Sequence, residues 1–296
     1  MFAENVRPAL NAFKKKTLPT RAAYLKNITS NKPLKLVCIN FLSLKVDKRN
    51  IGNILVVTDH YTRYAQAYPT RDQRATTVAQ VLWKKYFSVY KFPARIHSDQ
   101  GRDFKSHLLK EVLKIAKIKK SKTTPYHPQG DPQPKRFNRT LLNMLGTLRP
   151  EQKAIWSQHV AFLVHAYNAT KNDATGVTPY LLMFGQKPRL RINLCFGVSK
   201  NENSYKTHQQ YVSRLKKKLR NAYHLATSAA RKNADHNKHQ YNARVRLQEL
   251  QPGDRVLLQN LGIAGKYKIA DKWKAIPYLV IKKLGDLPVY KIKPKK

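Results

Sequence analysis

Acidic residues are scarce in this chain. Its 296 residues hold 16 Asp+Glu beside 58 Lys+Arg, a formal net charge of +42. The only glutamates are Glu4, Glu111, Glu151, Glu202 and Glu249. Charged residues still make up 25% of the chain, close to the usual share of about a quarter. The imbalance is therefore a shortage of acids on a normal charge total, and it excludes an ordinary near-neutral cytosolic enzyme. Glycine is short as well, at 11 residues, or about 4% where ~7% is typical. Only Cys38 and Cys195 are cysteines. They cannot build a disulfide framework or a Cys-rich zinc site, and a reducing nuclear or cytosolic compartment is expected. No apolar run approaches the ~20 residues of a membrane span, and the first residues lack the apolar core of a secretory leader. No membrane partner is expected. Hydrophobic residues reach 42% and aromatics 10%, enough for a sizeable core in roughly two domains.

Residues 1–33 are basic, contain Lys14-Lys15-Lys16 and show no clear period. From Leu34 to Phe41 apolar residues alternate as in a buried strand. Ile54-Leu55-Val56-Val57 reads as a second strand after the Gly52-Asn53 turn, and Tyr64 to Tyr68 as a third that stops at Pro69. Their closeness predicts an antiparallel meander. Val78, Val81, Leu82 and Tyr86 share a helical face. Ala94 to His97 is a short strand, Leu108 to Ala116 an amphipathic helix, and Ile118 to Thr123 a further strand. A turn-rich stretch from Pro125 to Pro134 leads into a helix over 135–148. This order predicts a mixed α/β sheet with helices on its faces. Helices follow over 153–168 and 178–184. A long basic helix without Pro or Gly is expected from about 205 to 245, and short strands near 256–258, 278–281 and 289–292 suit a small β module.

One residue stands out as a possible ligand. Asp99 follows a short strand in Ile96-His97-Ser98-Asp99-Gln100-Gly101. Taken locally it is a turn or N-cap aspartate, the common role for Asp before a helix. The wider pattern adds a second reading. The segment Thr124-Pro125-Tyr126-His127-Pro128-Gln129 followed by Lys135-Arg136-Phe137-Asn138-Arg139-Thr140-Leu141 resembles the signature of Gypsy-class LTR-retrotransposon integrases. Four other stretches are similar to segments of that family in the right order: Asp59 to Tyr64, His97 to Phe104, Ala166-Tyr167-Asn168 through Gly185, and Pro252 to Leu257 with Gly265 to Trp273. The resemblance covers roughly residues 20–294.

The resemblance implies an RNase H-like mixed five-stranded sheet with flanking helices, then a long basic helix and a small SH3- or chromo-like β-barrel. The implied domains are a basic arm at 1–33 (the remnant of an N-terminal zinc module, since no His precedes His60), a core at 34–195, a basic helical linker at 196–248 and the β-barrel at 249–296. It also implies three carboxylates holding two Mg²⁺ or Mn²⁺ ions. Two hard cations close together need anionic oxygens, and together they stabilise the attacking and leaving oxygens on phosphorus.

Here the middle ligand matches Asp99. The first-strand position is Asn40, and the glutamate position, after thirty-five intervening residues, is Lys135. With Asp99 the only metal-ligating carboxylate retained, productive metal binding and integrase activity are not expected. Asp47, Asp59 and Asp103 fall in turns or strand ends, and Asp131 is the nearest substitute. Asp→Asn and Glu→Lys are each single G→A codon changes, and the same change depletes glycine codons. A G→A-biased history would account for all three features; a balanced substitution spectrum against intact relatives would end that idea.

DNA, as LTR ends or target, remains the expected partner in the nucleus, with Gln129, Arg136, Asn138, Arg139, Lys119 and Lys120 as candidate contacts. Lys216-Lys217-Lys218 add unspecific phosphate attraction. Homo-multimers follow from the family. Two alternatives remain open: an active polynucleotidyl transferase with unorthodox ligands, and a chromatin-interaction module acting through the C-terminal β-barrel.

Overall fold

The computed structural model describes residues 29–99, 101, 103–122, 132–188, 207–243, 250–258, 276–284 and 290–294. Most of the basic arm, Gln129, Asp131, Cys195 and Trp273 lie outside the described residues. The chain divides into two compact units, one of residues 27–235 and one of residues 1–26 with 236–296.

The first unit is built on a five-stranded sheet in the order β3-β2-β1-β4-β5. The strands are β1 Leu36–Ser43, β2 Asn53–Asp59, β3 Ala65–Thr70, β4 Arg95–Ser98 and β5 Lys119–Lys122. The expected meander is present, with β1, β2 and β3 paired antiparallel. β4 and β5 then add parallel strands. Parallel neighbours need a crossover, and helices supply it: α1 Ala75–Val81 before β4 and α2 His107–Ile115 before β5. This is the mixed sheet of an RNase H-like core.

β3 runs through Pro69, where the sequence suggested a stop. As the edge strand it tolerates a residue that lacks an N–H. The expected helix over 153–168 is three pieces: α4 Pro150–Lys153, a 3₁₀ turn at Trp156–Gln158 and α5 Val160–Ala169. The indole N–H of Trp156 donates to the Lys45 carbonyl at 3.0 Å. It ties the 3₁₀ turn to the loop after β1.

The two faces of the sheet have separate cores. Val37, Ile39, Leu55 and Val57 meet Val78, Leu82, Tyr86, Leu109 and Leu113 from the α1 and α2 side. Ile54, Val56, Ala65 and Ala67 meet Phe137, Leu141 and Leu145 of α3 (Pro132–Gly146) with Val160 and Val164 of α5. Period-2 alternation on β1 and β2 feeds both layers, and each such side chain contributes roughly 1.5–3 kcal/mol on burial.

α6 Pro179–Phe184 starts on a Thr178 cap with proline at its first turn, and ends at Gly185 in the left-handed region. A Cβ at Gly185 would lie 2.6 Å from Leu215 Cδ1, so glycine serves both the positive φ and the approach of the next helix. That helix, α7 His208–Asn242, confirms the long basic helix; it buries only Ala222 and Ala226, against Leu182.

In the second unit β6 Arg255–Val256, β7 Tyr278–Lys283 and β8 Tyr290–Pro294 form a three-stranded antiparallel sheet. This sheet is what the described residues contain of the expected β-barrel. Among them, no helix is long and apolar enough to cross a membrane.

Candidate active-site remnant and cationic surface

β1 and β4 run parallel in the register Leu36↔Arg95 to Ile39↔Ser98. Asn40 is the next residue of β1, and Asp99 directly follows the last residue of β4. Residues in register share a face, and Asn40 alternates with Ile39, so it lies on the face covered by α3. Topology therefore gathers the two positions that lie 59 residues apart in sequence. α3 carries Lys135 and packs through Phe137, Leu141 and Leu145 on this same face. Of the three positions that the sequence singled out, Asn40 lies on β1, Asp99 directly follows β4 and Lys135 lies in the first turn of α3.

Their chemistry does not suit a pair of divalent cations. Asp99 is exposed, and one carboxylate oxygen already accepts from the Gly101 N–H at 2.9 Å. Asn40 Oδ1 accepts from the Phe41 N–H at 2.9 Å, so the best donor atom of the carboxamide is engaged locally. Lys135 brings an ammonium and is exposed. One carboxylate, one carboxamide and one ammonium leave no net negative charge for a cation.

Other acids serve the scaffold. Asp47 holds the β1–β2 turn by accepting from the Arg49 and Ile51 N–H groups at 2.9 and 3.0 Å. Asp59 is 1% exposed and accepts from the Leu34 N–H, the Thr62 N–H and the Thr62 hydroxyl. Burial pushes its carboxyl up, against the pull of the Thr62 and Leu34 bonds. It pairs with Val37, three residues before Asn40 along β1. Asp103 opens the 3₁₀ turn before α2.

Around the first turn of α3 lies a polar cluster that the sequence reading did not single out. Gln133 Nε2 donates to the His60 carbonyl at 3.0 Å, and the His60 N–H donates to the Leu36 carbonyl at 2.9 Å. His97 is 4% exposed, and its Nδ1 lies 3.0 Å from Ser121 Oγ. His60 Nδ1, Arg63 Nε, His97 Nε2 and Gln133 Oε1 are buried without a hydrogen-bond partner. Burial, then the charges of Arg63, His97 and Arg95, push the His60 imidazole down to about 3. His97 is lowered too, by burial and then by Arg95. Sequence gave one weak signal, the Asp59 to Tyr64 motif, because the partners lie far apart along the chain.

The candidate DNA contacts divide. Arg136 and Arg139 are exposed one turn apart on α3, and Lys119 is exposed on β5. Asn138 is 9% exposed, and its Oδ1 is buried without a hydrogen-bond partner. Lys120 is half-buried, its ammonium donating to the Phe104 carbonyl. Gln129 lies outside the described residues.

Residues 30–128 match the family model described as the integrase core domain, which spans β1 to β5 and ends before α3. The chain is similar to the Retrovirus-related Pol polyprotein from transposon 412 of Drosophila melanogaster, 27% identical over 217 residues, 72% of this chain and 17% of that protein. It is similar to the Transposon Tf2-3 polyprotein of Schizosaccharomyces pombe, 25% identical over 272 residues, 88% of this chain and 19% of that protein. The chain thus spans less than a fifth of the length of these curated relatives. Among solved structures, the catalytic core domain of BIV integrase aligns with a TM-score of 0.41 at 21% identity, over 51% of this chain and 94% of that one.

Proposed function

We propose that this chain, whose residues 30–128 are an integrase core domain like that of retrotransposon Pol polyproteins, binds DNA without cutting or joining it. The observation that carries the reading is the composition of the candidate site: Asn40 and Lys135 occupy positions where, beside Asp99, two hard cations would need carboxylates. Two like charges ~4 Å apart repel by about 4 kcal/mol at an effective dielectric of about 20. The ammonium of Lys135 therefore opposes any cation drawn to Asp99. Arg63 and Arg95 add positive charge around His60 on the same face.

The same charge distribution favours phosphate. Arg136 and Arg139 supply exposed guanidinium groups on α3, and Lys216, Lys217 and Lys218 supply exposed ammonium groups on α7. These contacts are sequence-independent and steer the chain to a polyanion. The reading extends to action in the nucleus and as a homo-multimer on DNA.

Strand-transfer and end-processing assays with LTR-end oligonucleotides in Mg²⁺ or Mn²⁺ test the first half. No joined product is expected; a metal-dependent product that Asp99→Asn abolishes would overturn it. Fluorescence anisotropy with duplex DNA tests the second half. Affinity unchanged by Arg136→Glu with Arg139→Glu would remove α3 from the binding surface.

A further inference from the structure

The polar cluster beside the first turn of α3 is used neither by the exposed cationic surface nor by the metal-site positions. His60 and Arg63 come from the turn between β2 and β3, His97 from β4 and Gln133 from α3. Gln133 Nε2 donates to the His60 carbonyl, and the charges of Arg63, His97 and Arg95 act on the His60 imidazole. Three elements thus bring these side chains into one neighbourhood. Arg63 sits at φ 65°, a conformation that costs a long side chain free energy. The turn is held there by Asp59, which accepts from the Thr62 N–H, and by the Tyr167 hydroxyl, which donates to the Arg63 carbonyl at 3.4 Å. A guanidinium drawn out of water needs a negative partner. Among the described residues no ion pair includes Arg63. Asp59 directs its oxygens to Leu34 and Thr62, and α3 carries no acid.

We propose that Arg63, His60, His97 and Gln133 form a binding site for one phosphate group that still carries a P–OH, either inorganic phosphate or a terminal phosphate monoester. Arg63 Nε, His60 Nδ1, His97 Nε2 and Gln133 Oε1 are all enclosed without a hydrogen-bond partner. They require different partners. The Arg63 Nε–H can only donate, and it suits an anionic oxygen. Gln133 Oε1 can only accept. The Ser121 hydroxyl donates to the Ile96 carbonyl at 3.4 Å, so its oxygen receives the Nδ1–H of His97 at 3.0 Å. The neutral His97 ring, 4% exposed, therefore presents Nε2 as a second acceptor. An anion without a proton, such as sulfate or an internal DNA diester, would set its oxygens against two acceptors. A phosphate with a P–OH satisfies both kinds of group. Its charged oxygens meet Arg63 and the positive end of α3, and its hydroxyl meets Gln133 Oε1 or His97 Nε2. Inorganic phosphate keeps a hydroxyl at neutral pH, whereas a monoester, with a second pKa of about 6, has mostly lost it. The free ion is thus the preferred ligand at neutral pH.

Calorimetry and thermal melting of the full chain in a phosphate-free buffer at neutral pH provide the test. Sodium phosphate, sulfate and chloride are compared at equal ionic strength, because any anion screens a chain of charge +42. Saturable binding of one phosphate is expected, about tenfold tighter than sulfate or more. Equal binding of the two, an adventitious ion only, would overturn the proposal without any variant. Arg63→Gln should weaken phosphate about tenfold or more. Gln133→Met, at a half-buried position, should narrow the ratio of phosphate to sulfate affinity, which a general loss of folding does not do. Phosphate affinity unchanged in Arg63→Gln, or a ratio unchanged in Gln133→Met, would overturn the proposal. Competition with duplex DNA separates the two sources. A duplex with 5′-phosphate ends that displaces the ion at about pH 5.5 and less well at neutral pH would support the site with a DNA end as its ligand. No displacement would support it with the free ion. Equal displacement by a duplex with 5′-hydroxyl ends would make the ligand a backbone diester and overturn the proposal.

Discussion

Asn40 is nearly the size of an aspartate, and the loss at that position is charge. Lys135 reverses charge outright. Restoring both tests whether the scaffold still presents the site: Asn40→Asp with Lys135→Glu should gain a Mn²⁺-dependent rise in melting temperature that the natural chain lacks. An unchanged melt in both proteins would mean that the surrounding cations, Arg63 and Arg95 among them, also forbid metal. His60 makes a second prediction. Its imidazole is held down to about 3 from an ordinary 6.5. Between those values the unfolded chain takes up a proton that the folded chain refuses, so stability is lost as pH falls from about 6.5 toward 3, by up to about 1.4 kcal/mol per pH unit. His60→Gln should flatten this slope in urea titrations between pH 6.5 and 4.5, and His97, shifted the same way, should leave a residual slope. The sequence pointed to Asp99, Asn40 and Lys135 through a motif and a spacing. Toward the His60–Arg63–His97 cluster it offered only the Asp59 to Tyr64 motif, because burial sets those imidazoles and burial is decided by residues remote in the chain.

Elements whose residues alternate strictly were legible from local pattern. β1 and β2 repeat apolar residues on both faces, and α2 follows helical spacing behind a Ser106 cap that accepts from the Leu109 N–H. The misread elements are those settled by neighbours. β3 continues through Pro69 because it is an edge, and α5 breaks from α4 where Trp156 turns to reach Lys45. The same edge shows how tertiary contacts finish a strand. Asn168 on α5 is 1% exposed; its Oδ1 accepts from the Ala65 N–H at 2.9 Å and its Nδ2 donates to the Ala65 carbonyl at 2.8 Å. One carboxamide thus acts as a strand partner for β3. Asn168→Ala would leave both backbone groups buried and unpaired, at about 1–3 kcal/mol each. A loss of about 2–4 kcal/mol is expected in urea unfolding; a loss under about 1 kcal/mol would mean water replaces the side chain.

At the scale of the whole chain the governing quantity is +42. If DNA is the partner, affinity should fall steeply with salt, with log K against log salt changing by about 0.9 for each phosphate contact. Replacing Lys216, Lys217 and Lys218 with glutamine should reduce that slope by up to about 2.7 and weaken all sequences alike. An unchanged slope would place the contacts elsewhere. The charge, the strand and helix periods, the long basic helix and the identity of the three site positions were fixed by the amino-acid sequence, because composition and period are properties of the chain read along itself. Only the tertiary structure decided that β1 and β4 pair in parallel and so bring Asn40 and Asp99 to neighbouring strands, and that Asp59 is a scaffold carboxylate. Each depends on which surfaces meet when strands distant in sequence pair, and burial and charge proximity are set at that step.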